Sequence, residues 1–242
     1  MLITSKDNSK IKEARKLLDK KYSNSKKLFL IEGDNLVLES LKNNLLVELF
    51  VLDGYEYNID FPYINVSLDV MKTLSDLKST PRVIGISRYN TNANIGNKIV
   101  ILDDIQDPGN AGTIIRNSVA FGIDTIVFSK NSVSPYNAKV LRSTGGMIFN
   151  VNIVIDELEN IINQIKQKDI NLIGTSLKKS KSLEEINRKD KYAIVLGNEG
   201  NGVSDKIISF CDEIVRIDMN NNCESLNVGV ASGIILYHMY KR

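Results

Sequence analysis

Residues 99–117, IVILDDIQDPGNAGTIIRN, decide the fold of this chain. The stretch opens with a buried-strand pattern at residues 99–102, turns at Pro-Gly-Asn, and continues as a helical pattern over residues 111–121. Asn110 is expected to cap this helix, because asparagine side chains accept backbone amide hydrogens at helix starts. Arg116 then falls in the second helical turn, and its permanently charged guanidinium faces the loop. A capped helix with a surface arginine is the alternative interpretation.

The order of strand, loop and helix recurs through the rest of the chain. Apolar strands are predicted at residues 125–128, 172–173, 193–196 and 214–217, and further helices at residues 157–167 and 226–240. Such alternation is typical of an α/β fold, in which helices cover both faces of a parallel sheet. Ligands of these sheets bind in the loops that follow the strands. We therefore look for a functional site in those loops.

The first third of the chain also alternates between the two patterns. It predicts an amphipathic helix at residues 9–22, a second helix around residues 36–41, and strands at residues 28–31, 47–52 and 83–86. A polar stretch rich in Asn and Gly follows. We predict a small α/β domain over residues 1–90, a linker over residues 91–97, and a second domain over residues 98–242.

Two other loops carry unusual residues. In residues 195–204, VLGNEGNGVS, three glycines allow close approach of backbone to a ligand, although the order matches neither a dinucleotide fingerprint nor a phosphate loop. In residues 217–231, IDMNNNCESLNVGVA, Ser225 and Asn227 precede a long apolar helix, with Ser225 near its cap. Taken singly, the first loop also fits a tight turn with Ser204 capping the next helix, and the second fits simple capping.

Composition excludes several classes of chemistry. The 242 residues are 43% hydrophobic and 25% charged, which suits one or two globular domains. His238 is the only histidine, and the two cysteines form no Cys-x-x-Cys pair, so hydrolytic triads and metal sites are not expected. We also expect no signal peptide and no membrane span, because no apolar run reaches about 18 residues. A reduced, cytoplasmic protein fits this cysteine usage.

Positive charge is concentrated in one segment. The formal net charge is only +2, but residues 1–27 hold nine basic and three acidic side chains. A basic segment on a near-neutral chain favours a phosphate-rich partner such as RNA. A solvated helix face is the alternative interpretation.

Together, the three loops resemble the signature motifs of the SpoU (TrmH-like) family of RNA 2′-O-methyltransferases. The first matches Asp-Pro-Gly-Asn…Arg followed by Ala-Phe-Gly, the second Gly-Asn-Glu-Gly-x-Gly, and the third Ile-x-Met…Glu-Ser-Leu-Asn-Val. Residues 29–33 and 134–146 also look like family features, so the resemblance spans nearly the whole chain.

The third motif departs from the family pattern at three positions. Asp218 stands where the family usually has proline, Asn221 where a glycine is common, and Gly229 where a serine is usual. Asp218 is expected to alter the rigidity of the cofactor loop, whereas Gly229 removes a hydroxyl near the site. Asn221 is a mild replacement for glycine, because asparagine tolerates a positive φ moderately well.

The resemblance implies a SPOUT-type parallel-sheet domain with a deep trefoil knot, a rare feature in proteins, preceded by a small ribosomal-protein-like RNA-binding domain. It implies a homodimer that uses S-adenosyl-L-methionine to methylate a ribose 2′-hydroxyl, in ribosomal RNA rather than transfer RNA. The alternatives are a non-catalytic RNA-binding protein that retains the fold, and a 2′-O-methyltransferase of transfer RNA.

The resemblance also implies the site residues, with no metal among them. Arg116 would stabilise the developing alkoxide, Asn110 and Asn227 would position Arg116 or the ribose, Ser225 would support them, and Glu199 would orient the arginine or hold the glycine loop. The implied cofactor-binding residues are Thr175, Gly197, Asn198, Gly202, Ile217, Met219 and Leu226.

Overall fold

A computed structural model describes residues 2–75, 77, 79–92, 94–187, 189–220 and 222–241. The chain forms two compact units, Met1–Asn90 and Thr91–Arg242. The predicted linker begins the second unit and is bonded to it. The Asn92 amide donates to Asn152 Oδ1 at 2.7 Å, and the Gly96 amide donates to Thr125 Oγ1 at 3.0 Å.

The first unit is a small α/β domain with a mixed five-stranded sheet in the order β1-β4-β3-β5-β2. Strand β5 is antiparallel to β2 and β3, whereas β4 is parallel to β1 and β3. The elements are β1 (Leu2–Ile3), α1 (Ser9–Lys16), α2 (Lys20–Lys26), β2 (Leu28–Glu32), α3 (Asp34–Lys42), β3 (Leu46–Leu52), β4 (Ile64–Val66), α4 (Leu68–Met71) and β5 (Val83–Arg88).

The single helix predicted over residues 9–22 was wrong, because the segment forms two helices. Helix α1 ends at Lys16 and α2 starts at Lys20. The Asp19 side chain accepts the Tyr22 amide and caps α2, so it starts a new helix where the apolar pattern suggested continuation. Ile11, Ala14 and Leu17 are buried in the core of this unit.

The second unit is a seven-stranded, wholly parallel sheet with helices between its strands, which confirms the predicted α/β class. Its strand order is β10-β12-β9-β11-β6-β7-β8. The elements are β6 (Lys98–Asp103), α5 (Pro108–Ala120), β7 (Thr125–Ser129), α6 (Ala138–Thr144), β8 (Asn152–Asp156), α7 (Leu158–Gln167), β9 (Asn171–Thr175), β10 (Lys181–Ser182), β11 (Tyr192–Gly197), α8 (Asp205–Ile208), β12 (Glu213–Arg216) and α9 (Val228–Lys241).

Strands β6 and β11 lie side by side at the centre of this sheet and end in register, with Gly197 opposite Asp103. The loops after them therefore start at the same sheet edge, as parallel topology requires. Helix α7 buries Ile161, Ile162 and Ile165 against the apolar residues of these strands. The resulting core fixes the two loops relative to each other.

Helix α5 begins three residues earlier than predicted, so the capping role expected of Asn110 was wrong. Asp107 is the N-cap, its side chain accepts the Asn110 amide at 2.8 Å, and Pro108 occupies the first helical position. Proline is favoured there because its missing N–H has no helical partner to lose. Arg116 consequently lies in the third turn of α5, not in the second.

The caps of the last two helices also differ from expectation. Asn227, not Ser225, caps α9, and its Oδ1 accepts the amides of Gly229 at 2.9 Å and Val230 at 3.2 Å. Ser204 occupies the N-cap position of α8, but its side chain makes no capping bond. None of the described helices is long and apolar enough to cross a membrane. The trefoil knot stays a prediction.

Candidate functional site

The Glu199 carboxylate joins the glycine-rich loop to the loop after β6. It accepts the backbone amides of Gln106 at 3.2 Å and Asp107 at 3.1 Å, and the side-chain amide of Asn110 at 2.9 Å. Burial raises the pKa of Glu199, but these hydrogen bonds, with one from its own backbone, outweigh burial and leave the pKa below its ordinary value. Glu199 therefore sits here as a carboxylate that holds two loops together.

A chain of side-chain amides extends from Glu199 to the third loop. A carboxylate only accepts hydrogen bonds, so Asn110 turns its NH₂ group toward Glu199 and its oxygen away. That oxygen accepts from Asn227 Nδ2 at 2.8 Å, and Asn227 in turn points its oxygen at the first amides of α9. The charge on Glu199 thus sets the direction of the hydrogen bonds that run from Glu199 through Asn110 to Asn227.

The glycine-rich loop folds back tightly on β11. A Cβ added to Gly197 would lie 2.0 Å from the Val203 nitrogen and 2.1 Å from the Gly202 carbonyl carbon. The Asn198 side chain fixes the turn by donating to the Asp104 carbonyl at 2.8 Å and accepting from the Gly200 amide at 2.9 Å. These contacts are internal to the protein and make the glycine at 197 a steric requirement.

Helices α5 and α9 pack closely through small residues. Asn117 donates to the Gly229 carbonyl at 2.9 Å and to Ser232 Oγ at 2.8 Å. A Cβ at Gly229 would lie 3.1 Å from both Thr113 Cγ2 and Asn227 Oδ1, so a serine at 229 requires small shifts of these side chains. The third departure, at Asn221, lies outside the described residues.

Arg116 and Ser225 lie apart from this hydrogen-bond chain. Both side chains are exposed, and neither forms a hydrogen bond with another side chain within the described ranges. The structure therefore brings Glu199, Asn110 and Asn227 together, but it does not bond any of them to Arg116. The guanidinium has its donors available for a ligand.

A cavity of about 430 Å³ opens beside the third loop. Its wall combines Leu177, Arg216, residues 217–220, Cys223 and Glu224. The predicted cofactor residues Ile217 and Met219 are among them. The volume falls within the range of small-molecule sites, and a wall that mixes apolar side chains with the carboxylates of Asp218 and Glu224 suits a purine and a cationic group. S-adenosyl-L-methionine carries both.

The other predicted cofactor residues do not line this cavity. Thr175 is half-buried at the end of β9, and its hydroxyl donates to the Val195 carbonyl at 2.8 Å. Gly197, Asn198 and Gly202 shape the glycine-rich loop, with Gly202 at φ +71°. Leu226 is half-buried just before α9.

Sequence reasoning missed three contributors to the site. Asp107 supplies the cap of α5, Asn117 joins α5 to α9, and the Asp103 carboxylate accepts the Ser204 amide at 2.8 Å, which fastens the glycine-rich loop to β6. The first two carried a signal: Asp before Pro is typical of an N-cap, and Asn117 is two helical turns from Asn110 on the same face. No cluster of metal-binding side chains occurs among the residues described.

Replacing Glu199 with glutamine should make the stability of the protein less sensitive to acid. The lowered pKa means that the carboxylate stabilises the fold above the ordinary value of 4.5, and that this contribution is lost as the pH falls through the folded-state pKa. Glu199→Gln should therefore unfold at a lower temperature than wild type at pH 7, and the difference should shrink in acid.

Thermal unfolding followed from neutral pH to below the Glu199 pKa measures this difference. Glu56→Gln, which changes an exposed carboxylate of the first unit, is the control and should show no pH-dependent difference from wild type. A gap between Glu199→Gln and wild type that stays constant with pH would contradict the carboxylate's role.

The fold and the three loops are those expected of a SpoU-type methyltransferase, and comparison with known proteins identifies the same family. The model of the SpoU rRNA Methylase family matches residues 97–237, and that of an MRM3-like substrate binding domain matches residues 8–85. The chain belongs to the SpoU rRNA Methylase family.

One named relative extends over nearly the whole chain, and another over the larger part of it. The 23S rRNA (guanosine(2553)-2′-O)-methyltransferase RlmP of Bacillus subtilis is 30% identical over 98% of both chains. The 23S rRNA (guanosine-2′-O-)-methyltransferase RlmB of Xanthomonas campestris is 30% identical over 60% of this chain and 58% of that protein.

Solved structures agree in fold. An AdoMet-bound rRNA methyltransferase from Sinorhizobium meliloti superposes with a TM-score of 0.86 at 25% identity, over 99% of this chain and 97% of that one. An RNA 2′-O ribose methyltransferase superposes with a TM-score of 0.81 at 26% identity, over 99% and 98%. The family prediction is confirmed.

Proposed function

We propose that this protein transfers a methyl group from S-adenosyl-L-methionine to a ribose 2′-hydroxyl of 23S ribosomal RNA. The observation that carries the proposal is the hydrogen-bond chain from Glu199 through Asn110 to Asn227, which assembles all three family motifs at one edge of the sheet. The relatives named for 23S rRNA favour ribosomal RNA over transfer RNA, and guanosine is the first nucleotide to test. The cytoplasm is accordingly the proposed place of action.

The chain's own residues have clear tasks in such a reaction. S-adenosyl-L-methionine, when bound, supplies an activated methyl group on a sulfonium. Ile217, Met219 and the cavity they line would hold it, while Asn110 and Asn227 would fix the position of the ribose. Alignment of this kind lowers barriers by roughly 7–11 kcal/mol in favourable cases.

Arg116 would act on the oxygen that attacks. Arginine keeps its proton in proteins, so we assign it electrostatic stabilisation of the developing alkoxide rather than a role as base. The hydroxyl proton would leave to an RNA phosphate or to water. Ser225, exposed at the start of the third motif's Ser-Leu-Asn, would contact the ribose or the cofactor.

The test of the reaction is transfer of labelled methyl from S-adenosyl-L-methionine to unmodified total RNA, separated afterwards into ribosomal and transfer RNA. We expect label in 23S rRNA at a nucleotide whose linkage resists alkaline cleavage, because a 2′-O-methyl group removes the internal nucleophile. Label in transfer RNA would overturn the substrate. Cofactor and RNA binding with no label in any RNA would favour a non-catalytic RNA-binding protein.

The basic segment of the first unit is the proposed RNA contact. Lys20 and Lys21 on α2 are exposed, and no ion pair holds either one within the described part of the chain. Lys16 and Lys26 lie 5.6 and 5.7 Å from the centre of the Tyr22 ring, but Glu13 pairs with Lys16 and accepts the Tyr22 hydroxyl, so Lys20 and Lys21 are the charges to test.

Reversing the charge of Lys20 and Lys21 should weaken RNA binding and flatten its dependence on salt. Each lost phosphate contact lowers the slope of log affinity against log salt by about one. Filter binding at several salt concentrations measures this, with Lys42→Glu, a substitution on α3, as the control. Unchanged affinity and slope in Lys20→Glu/Lys21→Glu would place the RNA contact elsewhere.

A homodimer through α9 is the proposed assembly. Val230, Ile234 and Tyr237 are spaced along one helix face and are 52%, 40% and 53% exposed, and Tyr240 continues the apolar surface at 51%. Such an apolar helix face is typical of a subunit interface.

Ile234→Glu/Tyr237→Glu should convert the dimer into monomers, because it buries charge in an apolar interface. Light scattering behind gel filtration should give twice the 27.1 kDa chain mass for wild type and that mass for the variant. Tyr63→Glu, at a 40% exposed tyrosine of the first unit, should stay dimeric. A monomeric wild type would refute this assembly.

A further inference from the structure

Asp218 occupies the start of the loop that lines the cavity beside β12. Strand β12 ends at Arg216, and no helix or strand forms among the described residues between there and α9. Asp218 lines the cavity itself, and so do Ile217 and Met219 on either side of it. Whatever fixes the backbone at 218 therefore fixes the two side chains proposed to hold the cofactor.

The Asp218 carboxylate ties this loop to the edge of the sheet. One oxygen accepts from Ser182 Oγ, and the other accepts from Arg216 Nε at 3.0 Å. Ser182 belongs to β10, which is parallel to β12 with Ser182 opposite Arg216. The Arg216 guanidinium also donates to the Ser180 carbonyl. The two residues that donate to Asp218, Ser182 and Arg216, are thus held in place by the pairing of β10 with β12.

Other contacts of the loop's first half are local. The Cys223 amide donates to the Asn220 carbonyl at 3.0 Å, and the Asn222 amide donates to Asn220 Oδ1 at 3.0 Å. Neither bond reaches the sheet, so these contacts shape the loop without placing it. Asp218 places it.

The family pattern usually has proline at this position, and a proline ring restricts φ to about −65° by covalent structure. Aspartate lacks that restriction. We propose that Asp218 is a positioning residue for the cofactor loop, which uses its bonds to Ser182 and Arg216 to hold Ile217 and Met219 in place. The inference rests on the proposed function, because it assigns S-adenosyl-L-methionine to this cavity.

The hydrogen bonds of Asp218 should affect the position of the loop more than the stability of the whole fold. The side chains of Arg216 and Asp218 are 37% and 56% exposed, and exposed ion pairs contribute little to global stability. Loss of the carboxylate should therefore free the loop while the sheet and its unfolding temperature stay nearly unchanged.

The test is steady-state methyl transfer by full-length Asp218→Ala, with direct calorimetric titration of S-adenosyl-L-methionine into the same protein. We expect KM and Kd for S-adenosyl-L-methionine to rise about tenfold, with kcat at saturation changed by less than about threefold. Ser182→Ala should shift both constants in the same direction by a smaller factor. Glu159→Ala, which removes a carboxylate from the surface pair with Lys206, is the control and should change neither.

Asp218→Pro is a second test of the positioning role, because proline restricts the backbone at 218 without a carboxylate. Its ring should replace the lost hydrogen bonds and restore KM to within about threefold of wild type. Unchanged KM and Kd in Asp218→Ala would overturn the positioning role. A wild-type protein that binds no S-adenosyl-L-methionine would instead refute the proposed function, so the two failures are distinguishable.

Discussion

Arg116→Ala should lower kcat for methyl transfer by roughly 10²–10³-fold, the loss seen when one preorganised donor to a developing anion is removed. The exposed guanidinium makes no hydrogen bond to another side chain in the described ranges, so its removal leaves the site's own bonds intact. Affinity for S-adenosyl-L-methionine should change little, because Arg116 does not line the cavity. Single-turnover methyl transfer, together with calorimetric titration of the cofactor, measures both quantities.

Arg116→Lys tests whether the positive charge at 116 is enough, or whether the planar arrangement of the guanidinium donors is also needed. Lysine keeps the positive charge but loses the rigid fork of donors, so it should recover only part of the rate. Full activity in Arg116→Ala, with normal RNA binding, would remove Arg116 from the chemistry and leave alkoxide stabilisation without an assigned group.

Gly197→Ala should cause a large loss of stability in the second unit. Its new Cβ would lie 2.0 and 2.1 Å from backbone atoms of Val203 and Gly202, and backbone cannot rotate away as a side chain can. Overpacking costs about 1–3 kcal/mol where side chains yield, and we expect at least the upper value here. Chemical denaturation and cofactor titration should show lower stability and weaker binding.

Gly202→Ala is the matched control from the same loop. Gly202 has φ +71°, and a Cβ there meets nothing within 4 Å. The cost is therefore backbone strain alone, on the order of 1–2 kcal/mol. If Gly197→Ala proved no worse than Gly202→Ala, close contact would not be the reason for glycine at 197.

The general arrangement followed from sequence because apolar strands, helical periods and post-strand loops are local signals. Parallel topology alone predicts that the loops after the strands lie at one edge of the sheet. The start of α5 was also within reach, since Asp107-Pro108 is a stronger helix-start signal than Asn110. The error came from beginning the helix at its first apolar residue.

Other features depend on distant partners and could not be predicted. Strands β1 and β10 have two residues each, which is too short to show an alternating apolar pattern in the sequence. The direction of the Asn110 and Asn227 amides follows from the charge on Glu199, which is known only once the three side chains are adjacent. The tight contact between Thr113 and a Cβ at residue 229 likewise appears only when α5 meets α9.

The hydrogen-bond chain across the three loops has a consequence for the order of folding. Glu199 and Gln106 are 93 residues apart in sequence, and Asn227 and Asn110 are 117 apart. Contacts with such long loop closures form late and slow a folding reaction. A growing polypeptide that has not yet released α9 from the ribosome therefore has no assembled site, and competence for catalysis should be acquired only after α9 has emerged.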